Sequence, residues 1–345
     1  KVTKFKFSKI DNFNQKEPEI VFHEGDVIFF DNKGTIIRYN KFKEVVWKSN
    51  HYTKAEKKSN PFLYFKKDKD ILFVVDGISN FYAVNMKDGS LVWSNKNSSP
   101  FNSEIKIYKN KFFVTDFENI LHCFSTKDGK KLWSFKTENV LIKSEKKLSI
   151  VINKDIVYFN NSIGDITALD IQNGSIIWQL PTQNNSNYAN TFSLKNSDLV
   201  INDQTIYFSN NKNEFYSVNA DTGLLNWKQN INSYVRPVVL EDIIITVSLE
   251  GFLIVVEKKS GNIIRITDIF DGFKPKHRKE IYPNNFILGS ENIFLTTTNG
   301  RLLIINLKSG KNIGVIKVDG NKISEPFLNK KKLFIIKDNS IIRFD

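Results

Sequence analysis

The sequence predicts an all-β chain: an eight-bladed β-propeller of four-stranded antiparallel blades. Three observations carry this reading. All five tryptophans share one local setting, that setting returns every 38 to 49 residues, and short runs of branched and aromatic residues fill the intervals. Trp93, Trp133, Trp178 and Trp227 each lie four positions after a turn glycine, at 89, 129, 174 and 223. Trp47 follows a degenerate turn, Lys41-Phe42-Lys43-Glu44, that lacks the glycine. Two further turns, Ser260-Gly261 and Ser309-Gly310, lead to Arg265 and Gly314 in place of a ring. A fixed period of this length marks a repeat architecture.

The interior of the repeat decides between helices and strands. Upstream of each turn lie two short runs such as Ile71-Leu72-Phe73-Val74-Val75 and Phe81-Tyr82-Ala83-Val84-Asn85. Their composition suits strands, and Asn, Asp, Gly and Ser mark the joins. No window long enough for a helix carries an apolar stripe of helical period. Each unit is therefore a small antiparallel sheet, and repeated sheets of this kind make a propeller.

The ends set the blade number. After the seventh turn, Pro326-Phe327-Leu328, Lys332-Leu333-Phe334-Ile335-Ile336 and Ser340-Ile341-Ile342-Arg343-Phe344 supply three strands of an eighth unit. Val2-Thr3-Lys4-Phe5-Lys6-Phe7 alternates as a strand should and fits the missing fourth. Pairing it into the last blade closes the ring and removes an exposed sheet edge. One domain spanning 1–345 is expected.

Within each turn, glycine supplies the positive φ, and the preceding Asp or Asn stabilises the bend. Trp47, Trp93, Trp133, Trp178 and Trp227 are expected to pack between blades, where an indole is large enough to reach the neighbour. Ala83 and Ala168 leave room for such a ring.

Composition narrows the function. A hydrophobic fraction of 41% with 13% aromatics excludes a disordered chain. Apolar runs such as Phe252 to Val256 are too short to span a bilayer as a helix. The single Cys123 excludes an internal disulfide and a thiolate zinc cage. It falls on a middle strand, where a packed thiol is expected. The four histidines, at 23, 51, 122 and 277, are scattered. A net charge of +13 points to an acidic partner or an anionic surface, or to solvated lysines in a Lys-, Asn- and Ile-rich composition.

Two segments carry the repeat in its fullest form: Tyr82-Ala83-Val84-Asn85-Met86-Lys87-Asp88-Gly89-Ser90-Leu91-Val92-Trp93, and Thr167-Ala168-Leu169-Asp170-Ile171-Gln172-Asn173-Gly174-Ser175-Ile176-Ile177-Trp178. This pattern resembles the PQQ-like repeat, over nearly the whole chain. Two groups carry that repeat, the quinoprotein dehydrogenases and the BamB family. The dehydrogenases are usually considerably longer, often use a disulfide of adjacent cysteines, and need a calcium or lanthanide site. One cysteine cannot form the disulfide, and no spacing of acids singles out a metal site. No nucleophile triad or phosphate-binding loop stands out. No catalytic, cofactor-binding or metal residue is therefore assigned, no cofactor is expected, and the chain is read as a non-enzyme.

Size, blade number and missing chemistry resemble the BamB family. The resemblance implies a non-catalytic scaffold of the outer-membrane β-barrel assembly machinery, with a BamA-like protein as partner. It implies a periplasmic location and an N-terminal lipid upstream of Lys1, with the chain a monomer within a larger complex. The family's partner contact uses an inter-blade loop of apolar residues followed by Arg. Here Val140, Ile142 and Lys143 take those places, although Lys lacks the planar fork of Arg. Val140 and Ile142 also suit entry into the next strand. A second family contact uses a pair of acids, of which this chain keeps only Asp198. Two other readings stay open: a periplasmic quinone- or sugar-binding propeller, and an envelope or extracellular adhesion propeller.

The long connections, roughly 49–60, 136–147, 180–197 and 267–285, are expected to share one face with the loops joining the middle strands. Variable loops on a rigid scaffold are where binding evolves. Two of them are basic: Lys274, Lys276, Arg278 and Lys279 around His277, and Lys54, Lys57 and Lys58 beside His51 and Tyr52. These suit an anionic lipid surface or an acidic protein, or simply solvent. Nucleic acid is disfavoured as a partner.

Overall fold

The computed structural model describes residues 2–11, 13–137, 143–144, 146–182 and 194–345. Its strands form eight four-stranded antiparallel sheets, seven of them made of consecutive strands side by side. The blades run over residues 21–49, 63–96, 106–136, 150–180, 200–229, 238–268, 283–317 and 327–344. The fold is thus an eight-bladed β-propeller, and the strand Val2–Lys6 completes the last blade. Val2 lies opposite Phe344 and Lys6 opposite Ser340, as the end-strand reading expects.

The second blade shows why the sequence folds this way. Its strands are Leu63–Asp68, Ile71–Asp76, Asn80–Asn85 and Leu91–Lys96. Leu72 to Asp76 and Phe81 to Val84 are buried on both faces, which explains their unbroken apolar runs. The fourth strand is mostly exposed, with Trp93 half-buried. Asn85 accepts from the Lys87 N–H through its side chain and from the Gly89 N–H through its carbonyl (2.9 and 2.8 Å). Gly89 has φ +74°.

In the first blade the turn is one residue tighter, and Lys43 adopts φ +73°. Asn40 Oδ1 holds that turn by accepting from the N–H groups of Phe42 and Glu44. The left-handed position that the degenerate motif lacks a glycine for is therefore still made, by lysine under side-chain support. Blades one to seven share a register shift between third and fourth strands, where the fourth strand carries one extra residue just before the Trp position. Such bulges strengthen local twist.

The chain divides into two compact units: residues 1–157, 170–175 and 329–345, and residues 158–169 and 176–328. The first is rich in aromatic packing, with Phe81, Phe112 and Phe124 at ring separations of 4.5 to 6.2 Å and Trp93 stacked over Phe112. The second holds a largely aliphatic cluster, in which Ile245, Val247, Leu253, Ile293, Leu295 and Leu303 close around Phe270 and Phe286. The two described α-helices are short and lie in long connections, at Lys54–Lys58 and Pro275–Arg278. Among the described residues no helix is long and apolar enough to cross a membrane.

Candidate partner-binding face

The tryptophans fix neighbouring blades to one another. Each indole Nε1–H donates to a carbonyl in the third-to-fourth-strand turn of the following blade: Trp47 to Met86, Trp93 to Thr126, Trp133 to Ile171, Trp178 to Ala220 and Trp227 to Lys258, at 2.8 to 3.3 Å. All five rings rest on the next turn glycine. A Cβ built on Gly89, Gly129, Gly174, Gly223 or Gly261 would lie 2.6–2.7 Å from Trp47, Trp93, Trp133, Trp178 or Trp227. The glycine thus serves two ends, the positive φ and the close approach of the ring.

Arginines make similar links that sequence reasoning missed. Arg38, buried on the third strand of the first blade, joins Trp47 on the Met86 carbonyl at 2.8 Å and pairs with Asp26 at 2.7 Å. Arg265, at a Trp position, donates to the Lys308 carbonyl at 2.6 Å. Arg343 reaches the Lys41 carbonyl at 3.4 Å. A guanidinium offers a planar donor group of comparable reach.

The opposite turns, between second and third strands, are built on a side-chain acceptor. Asp31, Asp76, Asp116 and Asn161 each take the N–H groups two and four residues ahead on one oxygen, at 2.8 to 3.1 Å. Around two of them the connection from the preceding blade brings further polar groups. Tyr52 donates its hydroxyl to Asp76 Oδ2 at 2.7 Å, and Tyr82 reaches the Tyr52 oxygen at 3.3 Å. Asn97 reaches Asp116 Oδ2 at 3.3 Å, and His122 Nε2 lies 2.8 Å from the same oxygen. His122 and Asp116 are both fully enclosed, and His122 Nδ1 has no hydrogen-bond partner. Asp116 thus holds its own turn through one oxygen and meets His122 and Asn97 through the other.

The residues expected to meet a partner fall unevenly. Val140 and Ile142 lie outside the described residues, as does 183–193 of the 180–197 connection. Lys143 pairs with Glu118 at 2.9 Å, and both side chains remain substantially exposed. Such a pair is weak and is easily exchanged for a partner's carboxylate. Asn102, in the connection before the third blade, donates to the Ser144 carbonyl at 2.8 Å. Asp198 is half-buried at the entry to the fifth blade, and its carbonyl accepts from Ser197.

The basic loop 274–279 splits in function. Arg278 binds both oxygens of Asp268, at 2.9 and 2.8 Å, and so closes the loop. Lys274, Lys276, His277 and Lys279 face solvent. In the other basic loop, Thr53 and Glu56 form a reciprocal cap on the helix Lys54–Lys58. No group of His, Cys, Asp and Glu suited to a metal occurs among the described residues.

Cys123 is enclosed on the third strand of the third blade. Burial pushes its thiol up to about 12, and the Lys111 charge offsets this only in part. The thiolate is the reactive form. The folded protein should therefore resist iodoacetamide at neutral pH and alkylate rapidly once unfolded in guanidinium. Labelling of the native chain at the rate of a free thiol would contradict this burial.

A family model described as outer membrane protein assembly factor BamB matches residues 18–267. The chain belongs to the BamB family. Among solved structures, BamB from Moraxella catarrhalis superposes with a TM-score of 0.77 at 14% identity, covering 99% of this chain and 100% of that one. The computationally designed Ika8 protein gives 0.74 at 10% identity, over 98% and 99% of the two chains. Sqt1 of Saccharomyces cerevisiae gives 0.71 at 10%, over 99% and 98%. At such identities the likenesses speak for fold alone, and a designed protein among them underlines that a propeller is not a function. No curated protein matches the sequence.

Proposed function

We propose that this BamB-family chain is a non-catalytic scaffold that helps assemble outer-membrane β-barrel proteins by holding a BamA-like partner. The family match over residues 18–267 is the observation that carries the proposal. It is supported by the inert character of the described polar clusters, whose acids and hydroxyls are spent on turn N–H groups and on one another. The proposal includes a periplasmic site of action and a lipid tether upstream of Lys1, both by likeness to the family. Contact is made through the long connections, Lys143 in one and Asp198 in another being the charged participants within the described residues.

Affinity capture from native envelopes tests this. The tagged chain should co-purify the barrel-assembly subunit. A Lys143→Glu, Asp198→Lys double variant with unchanged thermal stability should retain about a tenth of it or less, since two reversed interface charges cost upwards of 1.4 kcal/mol. Capture that is absent from envelopes and replaced by retention of a quinone with Ca²⁺ and dye reduction would overturn the scaffold reading.

A further inference from the structure

A cavity of about 460 Å³ opens beside the N-terminal segment, away from Lys143 and Asp198 in sequence and assigned to nothing above. Its walls come from residues 9–11 and Lys16, from Phe30 and Asn32 at the second-to-third-strand turn of the first blade, and from residues 59–62 just before the second blade. Ile10, Phe30, Pro61 and Phe62 give it an apolar lining, and all four are buried. Asp11 braces two of the walls. Its Oδ2 accepts from Asn32 at 3.1 Å and from Asn60 at 2.6 Å, and its N–H donates to Asn32 Oδ1 at 2.9 Å. The volume lies in the range of small-molecule sites, roughly 300–1,000 Å³, and the lining is mixed: Lys9, Asp11, Lys16, Asn32, Ser59 and Asn60 form its polar part beside the four apolar side chains.

The cations of the cavity are not equivalent. Lys9 is mostly exposed and has Asp338 as counter-charge at 3.7 Å. Lys16 is half-buried, with its ammonium 5.5 Å from the centre of the Phe62 ring. It makes no ion pair among the described residues. Burial pushes its ammonium below the usual lysine range. A charge desolvated against apolar walls without a partner is costly, and an anion entering the cavity recovers that cost. The ring face of Phe62 compensates only in part.

We propose that this cavity binds a small organic anion, one carboxylate on a ring or branched apolar body, with Lys16 meeting the carboxylate and Phe30, Phe62, Pro61 and Ile10 enclosing the body. Such a ligand adds a negative group where the lysine lacks one and fills the apolar remainder. The site stands independently of the scaffold reading and uses none of its residues.

The test is a ligand-observed NMR titration of the full chain with 3-phenylpropionate and with its uncharged primary amide. The carboxylate should bind about tenfold tighter than the amide, the scale of one hydrogen bond to a charged group. Lys16→Met should remove that preference, Lys16→Arg should keep it, and Lys127→Met, at an exposed lysine outside the cavity, should leave it unchanged. Thermal unfolding of each variant separates loss of the site from loss of the fold. Equal affinity for acid and amide, a preference that survives Lys16→Met in a folded protein, or no saturable binding of either probe would each overturn the proposal.

Discussion

Trp178→Ala should be among the most damaging single substitutions in the protein, costing about 3–5 kcal/mol. Trp178 is only 9% exposed. Its ring packs on Gly223 and beside Tyr158, with the two ring centres 5.7 Å apart. Its Nε1–H donates to the Ala220 carbonyl at 2.8 Å. Truncation removes the ring, leaves a cavity between the fourth and fifth blades, and strips the carbonyl of a donor. Trp178→Phe separates these losses. It keeps most of the apolar contact and forfeits the hydrogen bond, so it should cost about 1 kcal/mol. Gly223→Ala approaches the same contact from the other side. Its new Cβ would meet the indole at 2.7 Å while the backbone holds φ +74°. Left-handed strain alone costs about 1–2 kcal/mol, and the clash adds to it. Urea unfolding should rank the three as Ala worst at 178, then Gly223→Ala, then Phe. Near-equal midpoints for Trp178→Ala and wild type would show that the indole does not join the blades.

The same contact explains how much of the fold was legible. The Gly-to-Trp interval can be read from sequence because one hairpin turn and one packing distance fix it. The blade number is legible because the last unit runs short by one strand and the first segment alternates. The arginine links were harder. Arg38 does not occupy the Trp position, and nothing in a one-dimensional pattern says that its head will join Trp47 on the Met86 carbonyl. The acceptors of the second-to-third-strand turns left a signal that went unused. Asp76 to Trp93, Asp116 to Trp133 and Asn161 to Trp178 are all 17 positions apart, as is Asn210, which accepts from the Lys212 N–H at 2.9 Å, from Trp227. A polar residue at a fixed offset, ending an apolar run, is the mark of a side chain that holds its own turn. The long connections were the least legible. They obey no repeat, so neither period nor composition constrains them, and Arg278, read as one basic residue among four, is spent on Asp268.

Those turn acceptors give the second large effect. Asp76→Ala should cost about 3 kcal/mol or more, and Asp76→Asn about 1. The Asp76 carboxylate is fully buried and receives the Ile78 and Asn80 N–H groups, the Tyr52 hydroxyl and the Asn80 amide. Alanine leaves several buried donors unmatched, each worth about 1–3 kcal/mol. Asparagine retains the oxygen that takes the two backbone groups, as Asn161 does for Ile163 and Asp165. Its amide can donate to the Tyr52 oxygen, which leaves that hydroxyl free to turn to Tyr82. The pH dependence distinguishes the carboxylate from its amide. Burial raises the Asp76 carboxyl above the usual range, against the lowering pull of the bonds from Tyr52, Ile78 and Asn80. A carboxyl raised in the folded state takes up its proton more readily there than when unfolded. Its stabilising contribution is whole below the unfolded value, near 4, and is lost as pH rises through the folded value. Asparagine has no such loss. The deficit of Asp76→Asn relative to wild type should therefore shrink between pH 4 and pH 7, read as the difference in unfolding midpoint. A deficit that grows over the same interval would mean that hydrogen bonding outweighs burial and holds this carboxylate charged.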